Sequence, residues 1–146
     1  MQIEIQTDIA CKEPKIIIIT DKMNDEVQDI LKRLSTTAPQ ILLGLHEDIW
    51  EILEEENIVR FYTAGGKVFA ESKSKEYQLR LRLYELEEKL SHALFIRISN
   101  TEIINIKQAR SFDLSLSGTV CVTMSNGTVA YVSRRYVSKI KKILGI

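Results

Sequence analysis

The run Leu94–Ile106, LFIRISNTEIINI, restricts the possible folds more than any other stretch of the chain. Apolar and polar residues alternate from Leu94 to Ile98 and again from Ile104 to Ile106, the period of half-buried extended backbone. Between the two segments, Ser99-Asn100-Thr101-Glu102 interrupts the apolar pattern with short hydrogen-bonding side chains. Strands pinned by isoleucines on either side of a polar connection present that connection as a rigid loop. Such loops carry function more often than the elements that hold them.

The same short period recurs along the rest of the chain. Ile41–Leu45 and Asp48–Leu53 read as strands. Ile58–Thr63, Gly65-Gly66 and Lys67–Glu71 read as a hairpin, followed by a strand at Glu76–Arg80. Leu81, Leu83, Leu86 and Leu90 then change the spacing to 3.6, which predicts a helix over Arg82–Ser91. Ala109–Ser115 is a weaker strand, and Thr119–Met124 and Thr128–Val132 flank Ser125-Asn126-Gly127. The Asn-Gly pair there suits the two positive-φ positions of a type I′ turn. Ser133 resembles an N-cap for a helix over Arg134–Leu144, apolar at Val137, Ile140, Ile143 and Leu144 and basic at Arg134, Arg135, Lys139, Lys141 and Lys142.

The first 40 residues differ from this. Met1–Asp8 alternates as a short strand, Cys11–Pro14 turns, and the four isoleucines of Lys15–Thr20 predict a strand buried on both faces. Thr20 or Asp21 is positioned to cap a helix over Lys22–Leu34, which Ser35–Gln40, with Pro39, would end. The expected fold is mainly β with small helices over 41–146, preceded by a β-β-α segment over 1–40. That segment is too short to hold a core unaided and must pack on the rest or on another copy.

Charge is balanced in total, 20 bases against 20 acids, but not in distribution. Residues 1–57 hold 13 acids and 5 bases, and residues 58–146 hold 7 acids and 15 bases, a change from −8 to +8. This is either a dipolar solvated surface or a basic face for a polyanion beside an acidic region that discourages nonspecific contact. Cys11 and Cys121 have no CxxC spacing and no adjacent histidine, so neither a disulfide framework nor a zinc site is expected and a reducing cytoplasm suits the chain. Met1-Gln2-Ile3-Glu4 lacks the basic start and apolar run of a signal peptide, and Ile16–Ile19 is too short to cross a bilayer. His46 and His92 have no nucleophile at catalytic spacing, and no phosphate-binding glycine loop occurs, so neither an enzyme nor a cofactor is expected.

Two motifs together point to a family. Phe95, Arg97, Ile98, Asn100, Ile103, Ile104, Asn105 and Ile106 fit the pattern F-x-R-h-H-[RK/N]-S-x-h-V-N-h, where h is apolar, with Ser99 in place of the common His and Thr101 in place of Ser. Asn126-Gly127 followed by Tyr131-Val132-Ser133-Arg134-Arg135-Tyr136-Val137 fits an N-G…h-V-S-R-x-Y ending. In both, over about residues 41–146, the chain resembles the LytTR-type DNA-binding domain of bacterial regulators. The resemblance implies an elongated domain of stacked antiparallel sheets. It also implies sequence-specific binding of double-stranded DNA by loops and a helix start in the major groove, and a homodimer on two repeated half-sites. There is no room for a receiver domain, and Asp21, Asp25 and Asp29 read as a solvated helix face. The chain is similar instead to stand-alone LytTR regulators, in which a small inhibitory membrane protein is often encoded alongside.

The residues by themselves leave choices open. Arg134 and Arg135 stand at a helix start, where the macrodipole favours acids; they are either a solvated pair or groups placed for a ligand. Arginine can bridge guanine O6 and N7, and the resemblance assigns Arg135 that place, with Arg134 at the backbone or groove edge. Asn100 can pair with adenine or cap its own loop, and the resemblance favours DNA. Ser99 stands beside it as a further contact. Asn105 is expected to fix local backbone. Arg97 and Lys107 are either phosphate contacts or surface charge. The resemblance makes Glu55–Arg60 a third contacting loop with Asn57 and Arg60 as donors, although Glu54–Glu56 oppose phosphate there. That acidic rim and Ser99 favour the alternative, a protein-interaction or anti-activator module on the same fold without DNA.

Overall fold

A computed structural model describes residues 1–34, 41–115 and 117–146. The chain divides into two units, Met1–Pro39 and Gln40–Ile146. The helix end expected at Ser35–Gln40 lies outside the described residues.

In the first unit the one described helix is α1 (Asp25–Leu34), with Asp25 and Glu26 in its first turn and Lys32 and Arg33 in its last. Both placements complement the helix dipole. Its cap is neither Thr20 nor Asp21. Asn24 Oδ1 accepts from the Val27 N–H at 3.0 Å, so the helix starts later than the apolar spacing predicts. The two strands expected at Met1–Asp8 and Lys15–Thr20 do not form; among the described residues none before Leu43 is in a strand. Ile3, Ile5, Ile16, Ile17 and Ile19 stand exposed. β-branched residues favour extended backbone, but a strand also needs a neighbour for its N–H and C=O groups, and this unit supplies none.

The described residues of the second unit form ten strands: β1 (Leu43–His46), β2 (Ile49–Ile52), β3 (Ile58–Ala64), β4 (Lys67–Ser72), β5 (Glu76–Leu79), β6 (Phe95–Arg97), β7 (Glu102–Asn105), β8 (Ala109–Asp113), β9 (Val120–Met124) and β10 (Val129–Val132). Two helices, α2 (Leu83–Lys89) and α3 (Arg134–Leu144), complete it. The strands form a seven-stranded sheet, β2-β1-β5-β4-β3-β7-β6, and a three-stranded sheet, β10-β9-β8. Every pairing is antiparallel. The fold is the mainly β one that the alternating segments predict.

Period-2 alternation gives the larger sheet two apolar faces. Phe61, Val68, Ala70, Leu79, Phe95 and Ile103 join Leu83 and Leu86 of α2 in one core. Val59, Ile96, Ile98 and Ile104 meet Val120, Val122, Met124 and Val132 of the smaller sheet and Ile140 of α3 in a second core. A register shift between Ile58 and Arg60 lets Ile58 and Phe61, three residues apart, face the same core while Val59 faces the other; strict alternation would put Phe61 on the face of Val59. Each fully buried Ile or Leu contributes about 1.5–3 kcal/mol. The two cores therefore fix β6 and β7, which carry the 98–101 loop between them, and β3, which pairs with β7.

The turns separate two cases. Gly65 and Gly66 have φ of 58° and 76°, the positive pair expected of a two-residue hairpin. At Asn126-Gly127 only the glycine is left-handed, with φ 87°. Met124 N–H donates to Thr128 O at 2.8 Å and Gly127 N–H to Met124 O at 2.9 Å. Four residues, not two, separate β9 from β10, so the type I′ geometry gives way to a turn closed by a left-handed glycine.

Candidate functional site

Ile98 ends one buried strand segment and Glu102 begins the next, so 99–101 must turn at the rim of the sheet. Ile98 N–H donates to Glu102 O at 3.1 Å and closes the loop. The Thr101 N–H donates to Ser99 Oγ at 3.2 Å, and the two hydroxyls lie 3.2 Å apart. Ser99 thus shapes its own loop. Asn100 is exposed at the tip.

The start of α3 is tied to this loop. Ser133 has the extended backbone of an N-cap, but its hydroxyl makes no capping bond. Its N–H donates to Ile98 O at 2.8 Å and its Oγ to the same oxygen at 3.4 Å. That anchor sets the exposed Arg134 and Arg135 beside the loop. Arg135 Nη1 donates to Asn100 Oδ1 at 3.4 Å, and its guanidinium carbon is 5.1 Å from the centre of the Tyr136 ring. Arg134 lies over Gly118: a Cβ there would meet Arg134 Nε at 3.0 Å, and the glycine φ is +76°. Thr63 N–H donates to Thr101 O at 2.9 Å, so the Gly65-Gly66 turn and exposed Lys67 lie at this same end of the sheet. Two residues 35 apart in sequence, Asn100 and Arg135, thus form one basic, donor-rich corner.

Other candidates fall elsewhere. Arg97, expected at phosphate or surface, has a side chain only 15% exposed. It donates to Ser99 O at 2.9 Å, Asn100 O at 2.9 Å and Glu87 Oε2 at 2.8 Å. Arg60, expected to face DNA, lies between two acids, donating to Glu71 at 2.9 Å and to Glu102 at 3.1 Å, and its guanidinium stands 4.3 Å over the Tyr62 ring. Asn57 and Lys107 are exposed, but at the opposite end of β3 and β7 from Asn100, about 20 Å away at the usual rise per residue. Asn105 fixes backbone as expected: buried, it donates to Ile58 O at 2.9 Å and accepts from Lys107 N–H at 3.0 Å.

The Arg60 cluster has its own electrostatics. Burial works against the Arg60 charge, but bonds to Glu71 and Glu102 outweigh it and hold the guanidinium pKa above its ordinary value. Burial pushes Glu71 up, yet bonds from Arg60, Asn126 and Thr128, with the Arg60 charge, bring its carboxyl below the ordinary range. Glu102 has only Arg60 to offset burial and Glu71's charge, and its pKa is raised. The two carboxylates converge on a cation and are committed to structure.

Lys67, Gly118 and Glu87 belong to the corner or its support and were not singled out from sequence. Gly65-Gly66 marked the turn before Lys67, and the Thr63–Thr101 bond brings that turn to the 99–101 loop.

The profile of the LytTr DNA-binding domain family matches residues 49–145. An uncharacterized HTH-type transcriptional regulator of Staphylococcus aureus (strain NCTC 8325 / PS 47) is 33% identical over 135 residues, 92% of this chain and 91% of that protein. A counterpart in strain MRSA252 is 32% identical over the same length. A solved LytTr DNA-binding domain from Bacillus cereus matches with a TM-score of 0.71 at 21% identity, covering 75% of this chain and 100% of that one, a likeness of fold. The relatives' names say HTH, but the described helices of this chain are separated by strands and form no helix-turn-helix.

Proposed function

This chain belongs to the LytTr DNA-binding domain family, and from that premise we propose that it binds specific double-stranded DNA sites and regulates transcription through the Asn100–Arg135 corner. The observation that carries this reading is the 3.4 Å approach of Arg135 to Asn100 on one exposed edge. Arg135 enters the major groove and bridges a guanine, while Asn100 offers its amide to an adjacent base edge. In the free protein Arg135 donates to the Asn100 side-chain oxygen, which keeps the two side chains together on this edge before binding. Arg134, Lys67 and Lys139 supply phosphate contacts, which set affinity without choosing sequence. Ser99 acts through the loop's shape, so the place of the common family His is filled by a residue whose hydroxyl bonds to its own loop.

The protein works in the cytoplasm as a homodimer on two repeated half-sites. The Met1–Pro39 unit, with its exposed isoleucines, pairs copies or receives a small membrane protein that restrains the regulator. Among the described residues no helix is long and apolar enough to cross a membrane. A gel shift on the chain's own upstream DNA at two salt concentrations tests the reading: a discrete complex that outlasts competitor DNA supports it. Binding that is absent, or equal for every sequence, favours an interaction module that presents the acidic Glu54–Glu56 turn to a protein.

A further inference from the structure

Resting on that reading, we infer that Arg97 and Glu87 are positioning residues that set the sequence specificity of the corner without touching DNA. Arg97 spreads its guanidinium over two successive carbonyls of the reading loop, those of Ser99 and Asn100, both at 2.9 Å. The third direction of the same fork is taken by Glu87 Oε2 at 2.8 Å. Glu87 lies on α2, whose Leu83 and Leu86 are buried in the core beneath the sheet. The loop is therefore referenced to a rigid helix through one planar cation. Only arginine can hold such a fork, since lysine offers a point charge that cannot span both carbonyls with fixed geometry.

Two features separate this role from a phosphate contact. One N–H at each of Nε, Nη1 and Nη2 of Arg97 is engaged by the protein's own oxygens, and the side chain is mostly covered. The acid beside it would also repel a phosphate approaching that guanidinium. Asn100 meets a base only if its backbone is held, because a misplacement of its amide by a fraction of an ångström loses a bidentate bond. The backbone oxygen that Arg97 holds belongs to Asn100 itself. The clamp thus acts on the base-reading residue and leaves the charge that lands on phosphates unchanged.

The test compares wild type with Glu87→Ala, Glu87→Gln and Arg97→Lys. Glu87 is half-exposed, so its variants keep the fold where Arg97 variants risk losing it. In the free protein, E87A should shift the amide resonances of residues 99–101 and speed exchange of the Thr101 amide, with β9 amides unmoved; E87Q, which keeps an acceptor oxygen, should stay near wild type. On a site selected from random DNA, E87A should lower the ratio of specific to nonspecific affinity about tenfold, with the salt slope unchanged and E87Q restoring the ratio. An E87A spectrum matching wild type at 99–101 overturns the inference. So does an R97K variant that lowers the salt slope by about one while its loop spectrum stays fixed, because that is the mark of a phosphate contact. If the wild type selects no sequence at all, the DNA-reading proposal fails, and the free-protein spectra still decide the clamp.

Discussion

Replacing Arg60 by Ala separates the internal role of this arginine from the DNA contact that its position in the chain suggests. The Arg60, Glu71 and Glu102 side chains are 17%, 21% and 18% exposed, so the cluster is largely withdrawn from water. Breaking a buried ion pair from one side costs about 3–5 kcal/mol, because the remaining charge is stranded. Here the loss is smaller. About a fifth of each carboxylate still reaches solvent, and Glu71 keeps its bonds from Asn126 at 3.2 Å and Thr128 at 3.1 Å. Glu102, with Arg60 its one side-chain donor among the described residues, carries most of the damage. The expected destabilisation is about 2–3 kcal/mol, which for a unit of this size lowers Tm by roughly 10–20 °C. Urea unfolding followed by circular dichroism reads it as a lower midpoint at constant m. Binding to the selected DNA site, measured at low temperature where the variant is folded, should keep its salt slope. Adding Glu102→Gln should recover part of the loss. Unchanged stability with a salt slope reduced by about one would refute this assignment and return Arg60 to the DNA surface.

Three further outcomes are expected. Asn105→Ala removes the bonds to Ile58 O and Lys107 N–H and orphans a buried carbonyl, so stability should fall by about 2 kcal/mol in urea titration, with site preference unaltered. Lys67→Ala should lower the slope of log affinity against log salt by about one, whereas Lys107→Ala, at the far end of β7, should leave it as in wild type; the reverse pattern would place DNA along the opposite rim. Glu71 has a depressed pKa, so its stabilisation is full above the ordinary glutamate pKa and is lost as pH falls through the lower folded value. Urea midpoints taken from about pH 6 to about pH 3 should therefore drop more steeply for wild type than for Glu71→Gln. Glu102, with a raised pKa, opposes this, its contribution being full at low pH and lost as pH rises through the folded value.

Most strands of the second unit were legible because they are half-buried and local alternation reports that directly, although β2 and β8 hold no buried residue. Both helices there showed the change to 3.6 spacing, and the signature run marked Asn105 as a residue that fixes local backbone. What was not legible depended on partners distant in sequence. Arginine at position 60 reads as a donor for DNA until Glu71 and Glu102, 11 and 42 residues on, are folded against it. Arg97 reads as a phosphate contact or as surface charge until α2 brings Glu87 to it. The isoleucines of Lys15–Thr20 carry strand propensity, which a neighbouring strand must complete. At Asn126-Gly127 the dipeptide indicated a hairpin, but the extra Ser125 and Thr128 changed the hand of the turn.

The most direct test selects bound sites from random DNA with wild type, Asn100→Ala and Arg135→Ala. Wild type should enrich a repeated motif, and each variant should lose about 1–3 kcal/mol of discrimination at one position of every repeat, the two positions lying close together, while the others persist. Recovery of the same motif at the same strength from all three proteins would mean that this corner does not read the bases.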